Sequence, residues 1–166
     1  SNFNYSSNKL STIKKNILLI PGASFQSKRY PVDKFVELVK LLDANFLIIS
    51  GDSEEEDLAN QIQAQSTNVA VLERLNINSV ISLISQIDLV IGSDTGPTHM
   101  AWALGIPSIT LFGPTPGERN TFITNINRFI ESDSKVNPYK INKNDFSIKN
   151  INVEEIVQLS YKLLNS

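Results

Sequence analysis

The segment Leu89-Val90-Ile91-Gly92-Ser93-Asp94-Thr95-Gly96-Pro97-Thr98-His99-Met100-Ala101-Trp102-Ala103-Leu104-Gly105 decides the fold. It begins as a short apolar run and passes through small and hydroxyl residues into a stretch with helical spacing. Pro97 suits the first turn of a helix, where its missing N–H costs nothing. Ser93, Asp94 or Thr95 can cap that helix, and Met100, Ala103 and Leu104 can pack beneath it. The segment therefore reads as strand, loop and helix.

The same alternation extends to both sides. Ile17–Ile20, Phe46–Ile49, Val69–Leu72 and Ile109–Phe112 are continuous apolar runs, each followed by a loop. Continuous runs mark strands covered on both faces, as in a parallel sheet. Between them, residues 32–42, 54–64 and 77–85 carry apolar side chains at helical spacing, and 153–164 closes the chain the same way. The spacing predicts an α/β domain, a Rossmann-like doubly wound parallel sheet over residues 16–166. Residues 1–15 are polar and aperiodic and read as a linker or tail. The polar segment Glu131–Asn150 reads as a long surface loop.

Composition narrows the function. The chain has 166 residues, enough for one domain with a sizeable core. Its net charge of -2 argues against a general nucleic-acid surface. Without Cys and with one His, thiolate zinc sites, thiol nucleophiles and multi-His metal sites are excluded. No apolar run approaches the roughly 20 residues of a membrane-spanning helix.

Ligands of such a sheet bind beyond the carboxyl ends of its strands. After the first run, Pro21-Gly22-Ala23-Ser24 leads to Lys28-Arg29-Tyr30-Pro31. A small residue, a hydroxyl and cations ahead of a helix suit a phosphate, and equally a solvated loop. After the second run, Gly51-Asp52-Ser53-Glu54-Glu55-Glu56-Asp57 places acids in a helix's first turn, where they complement its dipole; one of them could instead take ribose hydroxyls. Leu75 is either core or an apolar wall for a flat base. In the fourth loop Gly96 admits a ligand to the backbone, and the helix N–H groups point at it. His99 lies one turn past Thr95, and Asp94 is a cap or a ligand of sugar hydroxyls.

Taken in order, Pro21–Ser24 with Lys28–Pro31, Gly51 with its acids, Ile91–His99 and Leu111–Thr115 resemble the carboxyl-terminal half of the bacterial heptosyltransferases of lipopolysaccharide core synthesis, across residues 17–120. The resemblance implies one half of a two-domain GT-B glycosyltransferase that inverts the anomeric centre. This half would hold the donor, ADP-heptose. An amino-terminal half would hold the lipopolysaccharide core acceptor and the general base, so no catalytic residue is expected in this chain and no transfer by it alone. Carried over by position, Ser24 and Lys28 bind the diphosphate, and Thr95, Gly96 and His99 line it from the facing loop. Asp94 holds heptose hydroxyls, Glu54 the ribose (with Asp52 as the alternative), and Leu75 faces the adenine. No metal and no further cofactor are expected. The resemblance places the full enzyme in the cytoplasm, with peripheral association at the inner face of the inner membrane. A transferase using another nucleotide sugar and a non-catalytic nucleotide-binding module are the competing readings.

Overall fold

The structure is a computed structural model that describes residues 9–113, 123–132 and 145–165. Six parallel strands form one sheet: β1 (Asn16–Ile20), β2 (Asn45–Ile48), β3 (Val69–Val71), β4 (Leu89–Ser93), β5 (Ser108–Phe112) and β6 (Asn127–Glu131). The spatial order is β3-β2-β1-β4-β5-β6. The chain thus winds outward from β1 in one direction and from β4 in the other. Among the described residues five helices cover the sheet: α1 (Val32–Leu41), α2 (Ser53–Ala64), α3 (Ile77–Ser85), α4 (Gly96–Ala103) and α5 (Val153–Leu164).

Alternate residues of β1 feed opposite layers, as the two-residue strand period requires. Ile17 and Leu19 join Phe35, Val39, Ile62 and Ile156, so α1, α2 and α5 cover one face. Leu18 and Ile20 join Leu83, Ile84 and Ala101 beneath α3 and α4 on the other. Every residue of β1, β4 and β5 is buried, which explains the unbroken apolar runs of the sequence. Burial of each such Leu or Ile side chain contributes roughly 1.5–3 kcal/mol.

Side-chain caps fix three helix starts. Asp52 Oδ1 accepts the Glu55 N–H at 2.8 Å, Asn76 Oδ1 the Ser79 N–H at 2.8 Å, and Asn152 Oδ1 the Glu154 N–H at 3.0 Å. Asp52 is thus occupied as a cap, the ordinary role of an acid at that place.

Two stretches depart from the sequence reading. The last part of the polar leader is docked: Asn45 Nδ2 donates to the Lys9 carbonyl at 2.8 Å, and Leu10 packs against the second core layer. The stretch Glu131–Asn150 is not all surface loop. Glu131 ends the edge strand β6, and residues Ser147–Asn150 form a 3-10 turn that buries Ile148. Neither forms an apolar run, because each holds its place through few apolar residues. Asn127, buried in β6, donates to the Ile106 carbonyl and to Ser108 Oγ instead. Residues 133–144 of that stretch lie outside the described residues, as do most of the fifth loop (114–119) and the first eight residues. No helix among the described residues is long and apolar enough to cross a membrane.

Tyr30 ties the first loop to the end of the chain. It is 2% exposed, donates to the Ile151 carbonyl at 2.7 Å and meets the Phe35 ring edge-on. Burial, aided by the Glu37, Asp33 and Glu155 carboxylates, raises its hydroxyl pKa well above the ordinary tyrosine range. The folded state therefore holds this proton more tightly than the unfolded chain does. The resulting stabilisation is complete below about pH 10 and is lost as pH rises beyond it. Tyr30→Phe should lower stability at pH 7 by about 1 kcal/mol. It should also flatten the alkaline loss of stability above about pH 10. Denaturant titrations across that range measure both.

Candidate donor site

The strand order creates the site. The connections from β1 and β4 leave in opposite directions, so a crevice of about 470 Å³ opens at their carboxyl ends. Its walls come from the three loops that follow β1, β2 and β4, and from Leu75 and Val80 beyond β3. That volume lies within the range of small-molecule sites.

Two close approaches set its shape. At the switch point Ile20 pairs with Gly92. A Cβ on Gly92 would stand 2.7 Å from Ile20 Cβ and 2.9 Å from Thr98 Oγ1, so only glycine lets α4 sit down on β1 and β4. Above it, Ser93 Oγ donates to the Lys28 carbonyl at 2.6 Å and holds the first and fourth loops together. At Gly22 a Cβ would stand 2.3 Å from the Glu55 carboxyl carbon. Glu55 thus lies against the bare backbone of Gly22, where Oε1 accepts the Gly51 N–H at 3.2 Å.

The polar end of the crevice is built from Ser24, Glu55 and the start of α4. Ser24 is exposed, and Asp94, Thr95, Gly96 and Pro97 face it. No side chain caps α4, and Thr95 Oγ1 instead shares a hydrogen bond with Thr98 Oγ1 at 3.1 Å. A Cβ on Gly96 would meet nothing within 4 Å, which leaves the backbone open to a ligand. An uncapped helix N-terminus beside a small residue is a seat for an anion. The other end is apolar, walled by Ile20, Ile49, Leu75 and Val80. Leu75 both packs against the core and borders the crevice. Ser50 lies among these walls, its Oγ buried and without a partner among the described residues.

Of the expected site residues, Ser24, Leu75, Asp94, Thr95 and Gly96 line this one crevice. Three stand off its walls. Lys28 directs Nζ to 5.8 Å from the centre of the Phe25 ring. His99 is bonded to Asp94. Glu54 points away and forms an ion pair with Arg29 at 2.6 Å. The acid that reaches the crevice is Glu55, which the sequence reading passed over for Glu54. Helix phase explains the difference: Glu55 shares a stripe with Ala59 and Ile62, both fully buried, whereas Glu54 lies about 100° round the helix. The 55-59-62 spacing was the available signal. Among the described residues no cluster of three His, Asp or Glu side chains could hold a metal ion.

A sheet wound both ways from a switch point, with an uncapped helix start on one side of its crevice and apolar walls on the other, defines a Rossmann-like domain. The sequence profile of glycosyltransferase family 9 (heptosyltransferase) matches residues 2–147, and the chain belongs to that family. It is 37% identical over 165 residues to lipopolysaccharide heptosyltransferase 1 of Campylobacter coli, covering 93% of this chain and 48% of that protein. It is 32% identical over 94 residues to the Escherichia coli K12 enzyme of the same name, covering 54% of this chain and 30% of that one. The fold matches E. coli heptosyltransferase WaaC with ADP at a TM-score of 0.78 and 19% identity, covering 95% of this chain and 47% of that one. A family 9 glycosyltransferase from Veillonella parvula matches at 0.80 and 20%, covering 96% and 48%. The chain thus spans about half the length of the Campylobacter relative and of these structures.

Gly22→Ala tests the wall between the first and second loops. The added methyl group must displace Glu55, a flexible side chain, so the fold should persist with a thermal midpoint within a few degrees of the parent's. Thermal melting of the two chains measures it.

Proposed function

We propose that this chain is the donor-binding part of a glycosyltransferase that moves heptose from ADP-heptose to the lipopolysaccharide inner core. The observation that carries the reading is the crevice itself: an open, uncapped α4 start, Ser24, Glu55 and an apolar slot line one cavity. Membership of family 9 supports the reaction. One structural neighbour is described as E. coli heptosyltransferase WaaC with ADP-2-deoxy-2-fluoro heptose, which supports the choice of donor.

In this reading the adenine enters the slot against Leu75, and Glu55, not Glu54, takes the ribose hydroxyls. The diphosphate lies between Ser24 and the N–H groups of Gly96 and Thr98. Lys28 swings from Phe25 to add its charge. Asp94 faces the sugar. Transfer breaks the bond between the anomeric carbon and the diphosphate oxygen while the acceptor oxygen attacks from the opposite side. Negative charge grows on the departing ADP, and preorganised N–H groups with a lysine lower that barrier. The acceptor's proton goes to a base outside these 166 residues, so the chain alone binds donor without transferring it. The whole enzyme then works in the cytoplasm at the inner face of the inner membrane, where a soluble donor meets a lipid-borne acceptor.

Calorimetry tests the donor site. The parent chain should bind ADP, and Lys28→Ala should weaken it roughly tenfold, with a shallower salt dependence, as for a lost charge-assisted contact. Failure of the folded parent to bind ADP would overturn the reading.

Two further substitutions should separate by ligand. Gly96→Val, which puts a branched side chain where the diphosphate approaches, should impair ADP and ADP-heptose alike. Asp94→Ala should impair ADP-heptose more than ADP, because ADP carries no heptose. Equal losses from Asp94→Ala would remove Asp94 from the sugar site.

A further inference from the structure

We propose that His99 is a positioning residue: it fixes the Asp94 carboxylate for the donor's sugar and does not itself touch the diphosphate. This deepens the donor reading above and rests on it.

Three observations carry the assignment. First, His99 Nε2 lies in hydrogen-bond contact with Asp94 Oδ1. An ionised carboxylate only accepts, so Nε2 must carry the proton and donate. One Asp94 oxygen is then engaged, and the other accepts no hydrogen bond from the described residues and can take a hydroxyl. Second, the two side chains occupy different places. That of Asp94 is 8% exposed and borders the crevice, whereas that of His99 is 45% exposed and stands off the crevice wall. Third, the backbone supplies the geometry. His99 is in the first turn of α4, its N–H bonded to the Thr95 carbonyl at 3.0 Å. Helical side chains tilt toward the N-terminus, so the imidazole leans back over the loop residue that precedes the cap.

The consequence is orientational. The terminal torsion of an aspartate is broad, and a free carboxylate loses that freedom when it binds a hydroxyl. The imidazole takes up that freedom beforehand and leaves one oxygen aimed at the sugar. Groups held in this way bind more tightly than groups that must be ordered by the ligand. Only a ligand that carries the sugar gains from the arrangement, so the effect belongs to the ratio of two affinities rather than to either one.

The test measures ADP and ADP-heptose by calorimetry on the parent chain, His99→Ala, His99→Gln, Asp94→Ala and the Asp94→Ala/His99→Ala double variant, each checked for folding by thermal melting. His99→Ala should weaken ADP-heptose about tenfold and change ADP less than about twofold, the size expected for one hydrogen bond to a charged group. His99→Gln, whose amide N–H can replace the donor without an ionisable ring, should recover most of the loss. In the Asp94→Ala background, removal of His99 should cost nothing more. Equal weakening of both ligands by His99→Ala would make His99 a diphosphate ligand and overturn the proposal. An unchanged affinity ratio, or a further loss in the double variant, would overturn it as well. If the parent chain binds no ADP, the donor reading falls and this assignment with it; ADP binding with an unchanged ratio overturns this assignment alone.

Discussion

The parallel pairing of β1 with β4 is the constraint from which the rest of the molecule follows. Ile17, Leu18, Leu19 and Ile20 lie beside Leu89, Val90, Ile91 and Gly92 at the centre of the sheet. Each strand is followed by a crossover that leaves on its own side, because parallel neighbours cannot be joined by a tight turn. The layers α1–α2 and α3–α4 are consequences of those crossovers, and so is the gap between them. A crevice at this place requires no special device; it is where the winding changes direction. What the sequence adds is the chemistry of its rim, concentrated in the residues that end β1 and β4.

The rim is held by small residues and backbone contacts more than by ion pairs. Gly92 lets Thr98 and Ile20 come within packing distance, and the Ser93 hydroxyl holds the carbonyl of Lys28. The salt bridges Lys14–Asp43, Arg29–Glu54 and Arg74–Glu56 each include at least one well-exposed partner. Pairs of that kind contribute about 0–1 kcal/mol. The shape of the crevice is therefore a property of close packing.

Most of the architecture was legible in the sequence because buried parallel strands leave unbroken apolar runs and helices leave a 3.6-residue stripe. Five strands and five helices were readable on that basis, together with the loops between them. The edge strand β6 was not, since Asn-Arg-Phe-Ile-Glu mixes polar and apolar residues and buries its Asn127 through side-chain hydrogen bonds. In the site, Ser24, Leu75, Asp94, Thr95 and Gly96, named from sequence order, line one crevice. Sequence order failed where position depends on rotation. Glu54 and Glu55 are neighbours in sequence yet face different ways on α2, one toward Arg29 and the other toward Gly22. His99 is similar: its place along the chain says nothing of the direction of its ring, which is bonded to Asp94.

The fit of Glu55 over the bare backbone of Gly22 also limits how this domain can change through descent. The two positions stand on different elements, 33 residues apart, yet the volume of one is the room for the other. A side chain at position 22 must push the end of Glu55 out of its place, and shortening that acid surrenders a carboxylate at the crevice. The two positions are therefore coupled through shared volume: what one gains in size the other loses in room.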